Sequence, residues 1–224
     1  MNGDMTRLTA DDGHTFDAYE ISPADARAAV VVVQEIFGVN AHIRSMVDRY
    51  AALGYRAIAP ALFDRVESGV ELEYDPAGIE RGRELAGAIK WAPAMADIAT
   101  AVAHVAPTGP VAVIGYCFGG SLAWRSAADL AVTAAVGYYG GQVHELNDLE
   151  PQVPTMLHFG ELDHAIPLAH VEAIAAAHPD VRVHVYPGAQ HGFSCDARGS
   201  YDPISAVVAL GRTVDFLVAN GVRP

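Results

Sequence analysis

The sequence predicts an α/β fold: one open, mostly parallel sheet covered by helices on both faces. Three observations carry that expectation. Short β-branched runs alternate with longer alanine-rich stretches. Most of the short runs are apolar from end to end, as strands buried on both faces are. No linker, repeat or low-complexity segment interrupts the 224 residues, so 1–224 is expected to be a single domain.

Taken in order, residues 14–21 are expected to add an antiparallel edge strand. Buried strands are then predicted over 29–34 (AVVVVQ), 55–60 (YRAIAP), 111–115 (VAVIG), 134–139 (AAVGYY), 154–159 (PTMLHF) and 181–186 (VRVHVY). Helices are predicted over 41–53, 79–90, 93–105, 119–129 and 168–178. A last helix spans 202–219, where Asp202 can cap and Pro203 fits the first turn because its missing N–H is not needed there. Ile204, Val207, Val208, Leu210, Val214, Leu217 and Val218 are read as its apolar stripe. The stretch 63–78 (FDRVESGVELEYDPAG) is the most polar and irregular and reads as a surface excursion near the site.

Composition excludes several classes. Hydrophobic residues make up 51% and charged residues 18%, enough for a large core and against global disorder. The 14 Lys+Arg against 27 Asp+Glu give a net charge of -13, which repels phosphate backbones and argues against nucleic-acid or anionic-membrane partners. Two cysteines, Cys117 and Cys195, make neither a disulfide scaffold nor a four-thiolate metal site. His158, His164 and His191 show no HExxH-type spacing, so no metal and no cofactor is expected. The opening MNGDMTRLTA lacks the pattern of a signal peptide, and no apolar run reaches the roughly 18–20 residues of a membrane span. The expectation is a cytoplasmic protein, with a monomer compatible with the acidic surface.

The sharpest chemical signal is Gly115-Tyr116-Cys117-Phe118-Gly119-Gly120, between an apolar strand and a helix. It has the form Gly-x-nucleophile-x-Gly. A strand turning this sharply into a helix forces strained angles on the nucleophile and needs small neighbours. The helix N-terminus favours the thiolate of Cys117. A thiol still needs a base. Asp163 and His191 both follow predicted strands, where α/β sites form. Alone, Asp163 reads equally as a turn aspartate and His191 as one of ten histidines. Together, the order nucleophile, acid, histidine matches that of α/β hydrolases. In that fold the loop after the first long strand, here Gln34-Glu35-Ile36-Phe37-Gly38-Val39-Asn40, supplies one oxyanion-hole N–H and the residue after the nucleophile supplies the other. The candidates are the N–H groups of Ile36 and Phe118. A carboxylate at Glu35 opposes the charge that must develop there, so it needs a role of its own or is a solvated strand end.

QEIFGVN (34–40), GYCFGG (115–120), AVGYYG (135–140), GELDHAIP (160–167) and GAQHGF (188–193) together resemble the dienelactone hydrolase family, the carboxymethylenebutenolidases of the α/β-hydrolase fold, which has no separate cap domain here. The resemblance runs from about Asp12 to Leu217. It implies Cys117, His191 and Asp163 as a catalytic triad. It implies that Glu35 accepts a hydrogen bond from the resting thiol and is repositioned by substrate to help form the thiolate. Arg83 matches an arginine that binds a substrate carboxylate, and Tyr138 matches a pocket tyrosine. Arg81, two residues away, reads equally as a surface ion pair with its glutamate neighbours. Two departures stand out. The second substrate-binding arginine of well-studied members is replaced by Cys195, and their serine after the histidine by Gly192. Arg198, three residues beyond Cys195, could substitute if the loop shifts. The implied reaction is the opening of an anionic enol-lactone such as dienelactone to maleylacetate, with another ester or lactone, or non-catalytic ligand binding, as rival readings.

Overall fold

The computed structural model describes residues 3–224. Eight strands form one sheet: β1 (Asp4–Thr9), β2 (Thr15–Ile21), β3 (Ala29–Val33), β4 (Arg56–Pro60), β5 (Val111–Tyr116), β6 (Ala134–Tyr138), β7 (Thr155–Gly160) and β8 (Arg182–Tyr186). Their order is β1-β2-β4-β3-β5-β6-β7-β8. The β1–β2 and β2–β4 pairs are antiparallel, and the pairs from β4–β3 through β7–β8 are parallel. Helices α1 (Ala41–Ala52), α2 (Pro76–Ala88), α3 (Trp91–Val105), α4 (Phe118–Asp129), α5 (Leu168–Ala177) and α6 (Pro203–Ala219) complete an α/β-hydrolase fold. None of them is long and apolar enough to cross a membrane.

The alternation of side chains along β3 splits the core in two. Val30 and Val32 pack with Ile43, Met46 and Val47 of α1 and with Ala209, Phe216 and Leu217 of α6. Val31 and Val33 point to the other face and pack with Ile98 and Val102 of α3 and with Leu122 and Ala123 of α4. That is why the central strands read as continuous valine and alanine runs: both faces are covered.

Three local expectations are corrected. β1 was not foreseen, because only Leu8 of its six residues is buried and an exposed edge strand carries no apolar run. Helix α2 begins three residues before its expected start, with Asp75 accepting from the Gly78 N–H and Pro76 in the first turn. The apolar stripe of α6 is offset: Ile204, Val207 and Val208 are exposed, while Ser205, Ala206, Ala209, Thr213, Phe216 and Leu217 face the sheet. Small residues win there because α6 lies over a polar cluster of the sheet. The Thr213 hydroxyl bonds both the Tyr138 hydroxyl at 2.6 Å and His158 Nε2 at 3.1 Å.

The sheet order reverses at β3, which lies between β4 and β5. Connections leave β3 and β5 in different directions, opening a crevice at their carboxyl ends. Glu35 follows β3 and Cys117 follows β5, so both reactive groups lie at the strand ends that border that crevice.

Candidate active site

Cys117 occupies the turn between β5 and α4 with φ 53° and ψ -114°, a strained conformation for a residue with a side chain. Hydrogen bonds hold it there: the Cys117 N–H donates to Tyr138 O at 2.9 Å, and the Gly120 N–H donates to Cys117 O at 2.9 Å. The glycines have a steric cause. A Cβ on Gly119 would run into the Val33 and Gln34 carbonyls, and one on Gly115 into the Gly119 backbone. The turn is therefore pressed against the end of β3, which brings the sulfur beside the 34–40 loop.

His191 and Asp163 come to the same place from the ends of β8 and β7. A Cβ on Gly160 would lie 2.5 Å from the Ala189 carbonyl oxygen, so glycine is what lets the two loops touch. The Leu162 N–H donates to Ala189 O at 2.8 Å and ties them together. Asp163 Oδ1 accepts from the Ala165 N–H at 2.9 Å, which leaves Oδ2 for His191 Nδ1 at 2.8 Å. His191 Nε2 stands 3.2 Å from Cys117 Sγ. Sulfur, imidazole and carboxylate thus form one continuous chain of contacts. Burial lowers the His191 pKa, but the Cys117 sulfur and the Asp163 carboxylate outweigh it and raise it to about 10. Tyr139, at φ 38°, sets its ring at a tilt 5.1 Å from the imidazole and hydrogen-bonds Ser194 Oγ at 2.8 Å, bracing His191.

The sulfur lies in a cleft of about 350 Å³ whose lining includes Ile36, Arg83, Phe118, His191 and Arg198. Larger grooves exist, but those of about 450 Å³ lie under Pro154 and Phe216 or beside Arg7 and His104, away from this chemistry. Arg83 reaches the cleft from α2, which approaches closely because a Cβ on Gly82 would strike the Ile36 carbonyl. Arg198 lines the cleft too, with its guanidinium 5.2 Å from the ring centres of both Phe37 and Tyr74. The space it occupies is the one a side chain at position 192 would fill: a Cβ on Gly192 would collide with Arg198 Nη1. The glycine at 192 is thus what leaves room for the arginine at 198.

Two expected pocket residues lie elsewhere. Arg81 is exposed and paired with Glu84 at 3.0 Å and with Glu67, because two residues along a helix is more than half a turn from Arg83. Tyr138 is buried in the sheet against Tyr116, 4.8 Å between ring centres, with its hydroxyl on Thr213. It serves the site through its carbonyl, which holds Cys117, and Tyr139 is the tyrosine beside the histidine. The contact implied between Glu35 and the thiol is not formed among the described residues. Glu35 is fully buried; its Oε2 accepts from the Tyr74 hydroxyl at 2.8 Å, and its Oε1 lies 3.8 Å from Arg198 Nη1.

Tyr74 was missed by sequence reasoning. It arrives because the 63–78 excursion folds back on the 34–40 loop: Gly38 bridges Glu71, and the Leu72 N–H donates to Phe37 O at 2.9 Å. The available signal was an aromatic residue in a polar stretch, directly before the Asp75-Pro76 helix start.

The Dienelactone hydrolase family model matches residues 16–220. The chain belongs to the dienelactone hydrolase family. It is accordingly a carboxylic ester hydrolase. Among the relatives of this chain, a Pseudomonas putida carboxymethylenebutenolidase is 36% identical over 217 residues, 92% of each chain. A Synechocystis protein assigned as a carboxymethylenebutenolidase is 38% identical over 200 residues, 80% of this chain and 81% of the relative. The crystal structure of a Klebsiella pneumoniae protein assigned as a dienelactone hydrolase superposes with a TM-score of 0.84 at 29% identity, covering 96% of this chain and 98% of the other.

Proposed function

We propose that this family member opens an anionic enol-lactone, dienelactone (4-carboxymethylenebut-2-en-4-olide) being the type substrate, to maleylacetate through a thioester on Cys117. The observation that carries the reading is the unbroken contact chain from Cys117 Sγ through His191 to Asp163, at the floor of a cleft flanked by two arginines.

The steps follow from the groups present. Arg83 and Arg198 hold the carboxylate of the substrate, a role for which a planar guanidinium suits an otherwise acidic protein. The carboxylate draws on Arg198, Glu35 is left less compensated and becomes the stronger base that takes the thiol proton, and the thiolate forms beside the His191 imidazolium. The thiolate attacks the lactone carbonyl, and the Ile36 and Phe118 N–H groups donate to the developing oxyanion. The tetrahedral adduct collapses with cleavage of the ring C–O bond, and the enolate released takes the proton of the His191 imidazolium to become the ketone. Water then gives a proton to the neutral His191 and attacks the thioester, expelling the product acid and the Cys117 thiolate, which takes back its proton. Asp163 keeps Nδ1 protonated and supports the imidazolium throughout. An enolate leaves without assistance from a strong acid, so a thiolate nucleophile is sufficient for a lactone where an amide would resist.

The reading also takes the chain as a single cytoplasmic domain without a nucleic-acid partner, its acidic balance being compatible with a monomer. The test is steady-state turnover of dienelactone and of p-nitrophenyl acetate. Cys117→Ala is expected to lower kcat by at least ~10³-fold on both. Arg83→Ala is expected to raise KM for dienelactone by roughly 10–150-fold, the worth of a charged hydrogen bond of about 1.5–3 kcal/mol, and to leave the neutral ester unchanged. Near-wild-type hydrolysis by Cys117→Ala would remove the thioester. Strong ester turnover with weak dienelactone turnover would assign the site to another ester, and no iodoacetamide-sensitive hydrolysis of any ester would leave a ligand binder.

A further inference from the structure

Behind the cleft lies a second group of reactive side chains that the proposed reaction does not use as a unit. A carboxylate oxygen of Glu35, a ring nitrogen of His42 and the sulfur of Cys195 all lie within 4.8 Å of one another. Glu35 and Cys195 are 0% exposed and His42 is 3% exposed. They come from three parts of the chain: the loop after β3, the first turn of α1, and the loop before α6.

Two of the three carry an orphan. Glu35 Oε1 and His42 Nε2 are buried polar atoms without a hydrogen-bond partner among the described residues. Buried polar atoms are nearly always satisfied, and two unsatisfied ones in one cluster mark a place where something else completes the arrangement. Each group is also oriented from behind. Asp196 Oδ1 stands 3.3 Å from His42 Nδ1, so a proton held there leaves the unpartnered Nε2 as the nitrogen with a free lone pair. The Tyr74 hydroxyl occupies Glu35 Oε2 at 2.8 Å and leaves Oε1 without a hydrogen bond, with the Arg198 guanidinium 3.8 Å away. A histidine backed by a carboxylate and a carboxylate backed by a hydroxyl are the outer-shell contacts that metal ligands make.

We propose that Glu35, His42 and Cys195 bind one soft divalent cation, with zinc as the type, and that its binding silences Cys117. The second half rests on the role proposed above for Glu35. One oxygen, one nitrogen and one sulfur are the ligand types zinc takes, with a fourth position left for water. Ligand atoms around such a cation stand ~3.3–3.8 Å apart, as bond lengths of ~2.0–2.3 Å require, so the side chains close in by about 1 Å. The thiol loses its proton on binding, and affinity therefore rises with pH. The thiolate and the carboxylate neutralise the cation. Arg198, 3.8 Å from Glu35, then faces a site of no net charge, and Arg49 is already held by Asp196 at 2.7 Å. Arg198 lines the cleft and stands 3.8 Å from Glu35, so it is the side chain that joins the cleft to this cluster. A cation on Glu35 Oε1 holds that carboxylate away from the ionisation of Cys117.

Cobalt(II) alone is the probe, because a cysteine ligand gives it a sulfur-to-metal absorption band. The proposal expects one equivalent of Co²⁺ to bind at micromolar concentration and to be displaced by Zn²⁺. The band should persist in Cys117→Ala and vanish in Cys195→Ser and in His42→Phe. Both of the last two variants are first checked for a wild-type melting transition, and Cys195→Ser, the milder change, decides if His42→Phe does not fold. Absence of a band in wild type, its persistence in Cys195→Ser, or its loss in Cys117→Ala would each overturn the site. In a parallel assay Zn²⁺ should inhibit p-nitrophenyl ester hydrolysis by wild type and not by Cys195→Ser. Cobalt binding without zinc inhibition would overturn the link to Cys117 alone. The metal-free turnover of Cys117→Ala tests the catalytic reading separately.

Discussion

Replacing Arg198 by Met removes the cation that faces Glu35, a fully buried carboxylate, while keeping most of the side chain's bulk. The Glu35–Arg198 separation of 3.8 Å corresponds to about 4 kcal/mol of attraction at an effective dielectric near 20. Glu35 Oε1 has no hydrogen bond to fall back on. Breaking a buried pair from one side characteristically destabilises by about 3–5 kcal/mol, because the remaining charge is left uncompensated. Arg198→Met is therefore expected to lose about 3–4 kcal/mol of unfolding free energy in urea at neutral pH, with an unchanged m value. Glu35→Gln leaves Arg198 able to turn toward the cleft and should lose less. The double variant should recover most of the loss, giving a coupling of about 2–4 kcal/mol between the two positions. Lost packing on Phe37 and Tyr74 cancels in the cycle. An Arg198→Met variant within about 0.5 kcal/mol of wild type, or additive effects in the cycle, would show that the Glu35–Arg198 pair does not stabilise the fold.

The remaining predictions concern the thiols, the histidine and the glycine at 192. Iodoacetamide should modify Cys117 alone in the folded protein, since burial first and Glu35 second push the Cys195 thiol up to about 12; peptide mapping that finds Cys195 labelled at a comparable rate would refute this. The raised pKa of His191 makes its contribution to stability complete below about pH 6.5, the unfolded value, and lost as pH climbs through about 10. Urea midpoints should accordingly fall across that window in wild type and less in His191→Gln; parallel curves would place the linkage elsewhere. Gly192→Ser sets a side chain at φ 76° where Arg198 Nη1 now lies. It should raise KM for dienelactone by ~10-fold or more and leave that for a neutral ester unchanged, the loss of a charged hydrogen bond to substrate setting the scale; an equal effect on both esters would mean a general distortion.

The central sheet was legible because burial on both faces leaves no room for polar residues in Ala29–Val33 or Val111–Tyr116. Cys117 was legible for a local reason: the backbone turn that exposes the sulfur needs glycines at fixed offsets, and those are printed in six consecutive residues. Asp163 and His191 could be located only as strand-end residues in the right order. Their meeting depends on Gly160 letting two loops touch, a contact with no local signature. Arg81 and Arg83 differ in the direction they leave α2, and nothing in the sequence says which side of that helix faces the cleft. Tyr138 and Tyr139 pose the same problem at the end of β6, where a turn to positive φ sends the second ring to His191. Tyr74 and the Glu35–His42–Cys195 cluster join residues far apart in the chain, so composition and spacing were silent about them.

The thioester is the species on which the account stands. Rapid mixing of wild type with excess dienelactone, acid quench and intact-mass measurement should show a covalent adduct of the substrate's mass during turnover. Peptide mapping should place it on Cys117, and it should decay at the rate at which maleylacetate is formed. A burst of product with no adduct on Cys117, or an adduct on any other residue that decays at the turnover rate, would contradict it.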